Sequence, residues 1–152
     1  MKVCFDTNVL IDILGNSNDH FYSYAAFDIA LVRNFKVFVP ITSTADLVYV
    51  LPRRSSISSQ EAKRLLSQLM TVAELLDARS VDAVNALSSN MPDYEDALIA
   101  YSAQRNGVDL IITRNLKDFG HSPVPAMSPR QFFEVYKPRN VDYAAVELST
   151  GQ

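Results

Sequence analysis

Short apolar runs alternate along the chain with longer stretches of helical spacing. Lys2 to Phe5, Val37 to Val39, Val72 to Leu76 and Asp109 to Thr113 are too short for helices and read as buried strands. Pro123 to Met127 adds a short edge strand. Between them the apolar positions recur at helical intervals. Asn8 to Leu14 forms a helix stopped at Gly15-Asn16, and Phe21 to Phe35 a longer one carried by Phe21, Tyr24, Ala25, Phe27, Ala30, Leu31 and Phe35. Thr42 to Val50 starts at a hydroxyl cap and is broken by Pro52-Arg53-Arg54-Ser55-Ser56. Ser58-Ser59-Gln60-Glu61 has capping-box spacing and opens a helix toward Met70. Ser80 to Ser88 is a short helix. Asp93 to Asn106, closed by Gly107, is the clearest helix, and Pro129 to Tyr136 the last. Strands that alternate with helices in this way predict an α/β fold, a parallel sheet covered on both faces.

Composition narrows the picture. A chain of 152 residues that is 48% hydrophobic can bury one real core, and two domains would be a squeeze. The single cysteine, Cys4, excludes an internal disulfide framework, fits a reduced cytoplasmic compartment, and reads as a buried small hydrophobe. The N-terminus lacks the ordered regions of a signal peptide, and no apolar run approaches the roughly 20 residues that span a bilayer. Net charge is −3 and the pI about 5.3, which argues against nucleic-acid binding by bulk electrostatics. That deficit weakens as an argument if carboxylates hold divalent ions, because a loaded site inverts its local charge. The basic clusters Arg53-Arg54, Lys63-Arg64 and Arg114 with Lys117 each read first as a solvated face.

Four aspartates carry the candidate chemistry. Asp6 ends the first strand, Asp46 follows the second, Asp96 lies near the start of the clearest helix, and Asp118 closes the segment after the fourth strand. Functional groups in open parallel sheets collect outside the carboxyl ends of the strands. Two unit charges about 4 Å apart repel by ~1 kcal/mol in water and ~4 kcal/mol at an effective dielectric near 20. Convergent carboxylates therefore call for a cation, and oxygen-only ligation suits Mg²⁺ or Mn²⁺. The expected chemistry is metal-dependent phosphodiester hydrolysis.

Three segments resemble the PIN domain family, the compact nuclease fold of many type II toxin–antitoxin toxins of the VapC type. They are Asp6-Thr7-Asn8-Val9-Leu10-Ile11-Asp12, Asp93-Tyr94-Glu95-Asp96-Ala97-Leu98-Ile99-Ala100 and Ile112-Thr113-Arg114-Asn115-Leu116-Lys117-Asp118-Phe119. The resemblance covers roughly Met1 to Tyr136. It implies a three-layer α/β/α fold around a central parallel sheet of four to five strands, with residues 1–136 as the nuclease domain and 137–152 as a frayed or partner-docked tail. It also implies divalent-metal RNA cleavage leaving 5′-phosphate and 3′-hydroxyl ends, a cognate antitoxin and a homodimer. Two positions depart from the family pattern. Asp46 stands where a glutamate is usual, and Asn115 where many members carry an acid, which leaves Asp118 as the fourth carboxylate.

By this reading Asp6 and Asp96 hold the metal, with Asp46 and Asp118 completing the catalytic carboxylates. Helix capping is the rival role for Asp6, while Asp93 is the natural cap of its helix. Thr113 binds phosphate or orients a carboxylate, or is simply a buried strand-end threonine. Arg114 grips a phosphate or is exposed without a role, and Asn115 hydrogen-bonds or coordinates through its amide. Asp12 is expected at the surface or at a helix end, and Glu95, about 100° from Asp96 around the helix, in solvent. A groove lined by Phe21, Phe27 and Tyr49 is one docking surface for the antitoxin. Other classes fit poorly: His20 and His121 make no zinc set, and no phosphate-binding glycine loop occurs. A haloacid-dehalogenase-type phosphatase would need Asp at Asn8, and a receiver domain would need an acid pair and a strand-end lysine. The remaining rivals are a catalytically weakened RNA-binding or scaffold module and a housekeeping RNA-processing nuclease.

Overall fold

The protein is described from a computed structural model, which covers residues 1–15 and 20–143. Five strands form one all-parallel sheet in the order β3-β2-β1-β4-β5: β1 (Lys2–Phe5), β2 (Lys36–Pro40), β3 (Glu74–Leu76), β4 (Leu110–Ile112) and β5 (Ala126–Met127). Side chains on successive strand residues point to opposite faces, and both faces here are apolar. Val3, Phe5, Val37, Val39, Leu110 and Ile112 face one core, while Cys4, Phe38 and Ile111 face the other. The first core is closed by α1 (Thr7–Gly15), α2 (Phe21–Val32), α3 (Ile41–Arg54), α4 (Ser59–Leu69) and α7 (Pro129–Tyr136). α5 (Ser80–Leu87) and α6 (Tyr94–Arg105) close the second. This is the expected three-layer arrangement.

The topology decides where ligands can go. From β1 the chain works outward through β2 to β3, then crosses by α5 and α6 to β4, on the other side of β1. The crossovers after β1 and β4 thus leave in opposite directions, and the cleft at their carboxyl ends is the switch point of the sheet.

Several boundaries differ from the sequence reading for local reasons. α2 ends at Val32 because Asn34 takes a left-handed φ of 54°, and the Asn34 and Phe35 N–H groups bond back to Leu31 and Ala30. That is a Schellman closure with asparagine in the usual glycine place. Gly107 (φ 67°) closes α6 the same way, as expected. α3 begins at Ile41 behind Pro40, without a hydroxyl cap, and runs through Pro52 to Arg54. Pro52 lies in the last turn, so its missing N–H frees only one carbonyl, and Arg53 and Arg54 suit the negative end of the helix dipole. Ser58 caps α4 through the Glu61 N–H, but Glu61 turns to Arg64 instead of completing the box. β3 is shorter than predicted because Val72 and Ala73 belong to the turn after α4. β5 keeps only Ala126 and Met127 of its predicted run.

The predicted Phe21–Phe27–Tyr49 groove does not form. Phe21 packs on Tyr22 and Phe133, Phe27 on Phe5 in the core, and Tyr49 stands exposed on α3. Tyr143 is buried and donates its hydroxyl to Asp28 at 2.8 Å, tying the chain after α7 to α2. Asn16 and residues 144–152 of the predicted tail lie outside the described residues. Among the described residues, no helix is long and apolar enough to cross a membrane.

Candidate active site

β1 delivers Asp6 to the switch point. Its backbone N–H makes the last rung to β4, donating to the Ile112 carbonyl at 2.9 Å, and its own carbonyl accepts from Val9 and Leu10 as α1 begins. Asp6 therefore occupies the entry to α1, yet its carboxylate does more than cap. One oxygen accepts from the Thr7 N–H at 2.7 Å, and the other from Asn8 Nδ2 at 2.8 Å and Thr113 Oγ1 at 2.7 Å. The residue is only 2% exposed. Burial raises its pKa despite those three hydrogen bonds, and the charge of Asp93 adds to the rise.

Thr113, fully buried at the end of β4, thus directs its hydroxyl at a carboxylate; it also accepts the Asn115 N–H at 3.0 Å. Asn115 Nδ2 in turn donates to Asp96 at 3.3 Å and to Asp118. One neutral amide therefore sits between two acids. Asp93 caps α6 as the sequence implied, accepting the Asp96 N–H at 3.0 Å. Asp96 is 9% exposed; burial, then the charges of Asp6, Asp93, Asp118 and Glu95, push its pKa up to about 7.

Asp46 and Glu95 face each other across the mouth of the cleft. Burial, then a hydrogen bond and charge from Asp46, push the Glu95 pKa up to about 7, with Asp6 and Asp93 contributing less. The Thr7 hydroxyl, 2.6 Å from that of Ser43, reaches Glu95 at 3.4 Å. Glu95 is exposed as expected, but its carboxylate joins the acidic cluster. The 100° offset from Asp96 turns it toward α3, and no local pattern in the sequence reports where α3 packs.

Two further departures concern Asp12 and Arg114. Asp12 is buried, not superficial, and accepts from the Ser23 hydroxyl at 2.8 Å and from Arg114 Nε at 2.9 Å. Arg114 also donates from Nη2 to the Asn8 carbonyl and from its backbone to Asn8 Oδ1, both at 3.3 Å. The chain Ser23, Asp12, Arg114, Asn8 ends on Asp6. The sequence reading did not place Tyr49, Val50 and Arg54 of α3 at the carboxylates, where with α1 residues they extend the cleft into a groove of about 440 Å³.

The donor set has the right chemistry for a hard divalent cation: mutually repelling carboxylate oxygens, which at Asp6, Asp96 and Asp118 pair with no cationic side chain among the described residues. Among the described residues no three acidic, imidazole or thiolate groups already converge as a ligand set. Mg²⁺ does not require that, since it takes one or two carboxylates and completes its shell with water and substrate phosphate. Asp6 and Asp96 suit such a role.

A family model described as PIN domain matches residues 2–117. The chain belongs to the PIN domain family. Two solved structures share the fold of this PIN domain. VapBC2 from Rickettsia felis, bound to a DNA fragment from its promoter, aligns with a TM-score of 0.66 at 16% identity, covering 84% of this chain and 98% of that one. VapBC-1 from nontypeable Haemophilus influenzae aligns with a TM-score of 0.63 at 15% identity, covering 86% of this chain and 99% of that one. No curated protein matches the chain. Membership of the PIN domain family implies a nuclease.

Proposed function

We propose that this PIN domain is a divalent-metal-dependent ribonuclease, acting in the cytoplasm as the toxin of a toxin–antitoxin pair. The observation that carries the reading is the carboxylate cluster at the switch point: Asp6, Asp96 and Asp118 are linked through Thr113 and Asn115, and none of the three has a salt-bridge partner among the described residues. The antitoxin partner is supported by two neighbours in fold that are VapBC complexes. Residues 1–136 are the nuclease unit.

Mg²⁺ or Mn²⁺ held by Asp6 and Asp96 would neutralise charge developing on the phosphoryl oxygens and acidify the attacking water. The chain's own groups do the rest. Thr113, Asn8 and the Thr7 N–H fix the Asp6 carboxylate in one orientation, so it does not have to be ordered during the reaction. Asn115 holds Asp96 and Asp118 together, which an acid at that position could not do without adding a further charge. The Asp46–Glu95 pair stands across the cleft to take the proton released by the water. Thr113 acts on RNA indirectly through Asp6, and Arg114 through Asn8 and Asp12.

The test is cleavage of a mixed structured RNA pool with Mg²⁺ or Mn²⁺, comparing the wild type with Asp96→Asn and with an EDTA control. Metal-dependent cutting that disappears in the variant is expected. A well-folded wild type that cuts no RNA in either metal would shift the assignment to a non-catalytic RNA-binding or scaffold module, with Asp46 and Asn115 as the residues responsible.

A further inference from the structure

The groove continues past the carboxylates along one stripe of α3, and there its character changes. Asp46, Val50 and Arg54 recur at i, i+4 and i+8 and so share a face. Eight residues at 1.5 Å each put Arg54 about 12 Å along the helix from Asp46. Arg54 lines a groove that also holds the carboxylates of Asp6, Asp46, Glu95 and Asp96, yet it has no ion-pair partner among the described residues. Beside it Tyr49 is 60% exposed, and the Arg53 guanidinium lies 3.5 Å over its ring, tied by Nη1 to the Tyr49 carbonyl at 2.7 Å. A large aromatic that has one arginine over its ring, remains mostly in water and has no aromatic partner among the described residues is an exposed stacking surface.

We propose that Tyr49, Arg53 and Arg54 form a subsite for a nucleotide neighbouring the cleaved phosphodiester of single-stranded RNA: its base stacks at the Tyr49–Arg53 pair and its phosphate pairs with Arg54. The inference rests on the ribonuclease reading of the same groove. It accounts for how an acidic protein holds a polyanion: the strand is gripped at the cationic end of the groove and presented to the carboxylates at the other. A single strand offers the free base faces that such a surface needs, whereas a duplex keeps them stacked internally.

Steady-state cleavage of a labelled single-stranded RNA in Mn²⁺ tests this. Tyr49→Ala should raise KM about tenfold with kcat nearly unchanged, the size expected for one lost base stack, while Tyr49→Phe stays within about twofold. Arg54→Gln should raise KM and lower the salt slope of RNA affinity by about 0.7, one phosphate contact on a single strand. Tyr24→Ala, removing an exposed tyrosine elsewhere, should change neither constant. Anisotropy with the same RNA on Asp96→Asn protein, with and without Tyr49→Ala, repeats the comparison without turnover. Active enzyme with unchanged KM in Tyr49→Ala and Arg54→Gln would overturn the subsite and leave the nuclease standing. Tyr49-dependent binding by a wild type that never cuts would keep the subsite and overturn the nuclease.

Discussion

At the C-terminal end of α6, Arg105 reaches back to Asp82 of α5 with Nε at 2.9 Å and Nη2 at 2.8 Å, and also to Asp77. The Ser102 hydroxyl and the Arg79 N–H complete the shell of a carboxylate that is 1% exposed. Burial alone would raise the Asp82 pKa, but the Arg105 hydrogen bonds and charge hold it below the ordinary range. At the N-terminal end of the same helix, Asp96 is nearly as buried, meets other acids and one amide, and is pushed up to about 7. The fold can pair a buried aspartate with a guanidinium, and at one end of α6 it does. That contrast between the two ends is what supports the proposed cation site at the N-terminal end.

Removing carboxylates should therefore have opposite consequences at the two ends. Asp96→Asn should lower RNA cleavage by at least about a hundredfold, the loss typical of an electrostatic group acting on the transition state. Its melting temperature in EDTA should match or exceed that of the wild type, because a repelling charge has gone. Activity and thermal unfolding measured on one preparation check both halves. Arg105→Ala should instead cost about 3 kcal/mol of stability by stranding Asp82, the lower end of the range for a broken buried pair because water reaches the guanidinium. Cleavage per folded molecule should stay unchanged. A comparable loss of activity in Arg105→Ala would erase the distinction between the two ends.

The Asp12–Arg114 pair sharpens the comparison, since it is a satisfied ion pair placed beside the unsatisfied cluster. If Arg114 works through Asn8 on Asp6, Arg114→Gln should weaken Mn²⁺ binding about tenfold, as outer-shell changes at metal sites do. If it grips a phosphate, Mn²⁺ affinity stays put and KM for RNA rises. Titration of the metal in the absence of RNA separates these.

The smallest effect concerns pH. Asp96 and Glu95 have raised folded-state pKa values, so between the ordinary carboxylate range and about 7 the metal-free fold binds more protons than the unfolded chain. Stability in EDTA should then fall as pH rises through that window, and recover when Mg²⁺ is added. Asp82 works the other way: its contribution is present above the unfolded pKa and is lost as pH falls through its lowered folded value. A difference of about 1 kcal/mol would move the melting temperature by roughly 2–4 °C in a domain of this size.

The parts of the molecule legible in the sequence were those set by local chemistry. Short runs bounded by breakers gave the strands, Asp93 and Ser58 the caps, and Gly107 the end of α6. Asp6, Asp96 and Asp118 could be anticipated as neighbours because parallel strands bring their carboxyl ends together. What escaped was set by packing between distant elements. Asp12 looks superficial on α1 until Ser23 and Arg114 close over it, and Glu95 looks solvated until α3 brings Asp46 opposite. Pro52 reads as a breaker, yet α3 continues through it and carries Arg53 and Arg54 past the cleft. The basic pair Arg53-Arg54 was visible in the sequence as a solvated cluster, but its place at the end of the groove was not.

Calorimetric titration of Mn²⁺ into EDTA-stripped protein, with Asp96→Asn and Arg105→Ala in parallel, tests the central claim most directly. A saturable site in the wild type and in Arg105→Ala that is lost in Asp96→Asn is the predicted result. Folded wild type that takes up no divalent cation, or Asp96→Asn that binds Mn²⁺ as tightly as the wild type, would contradict it.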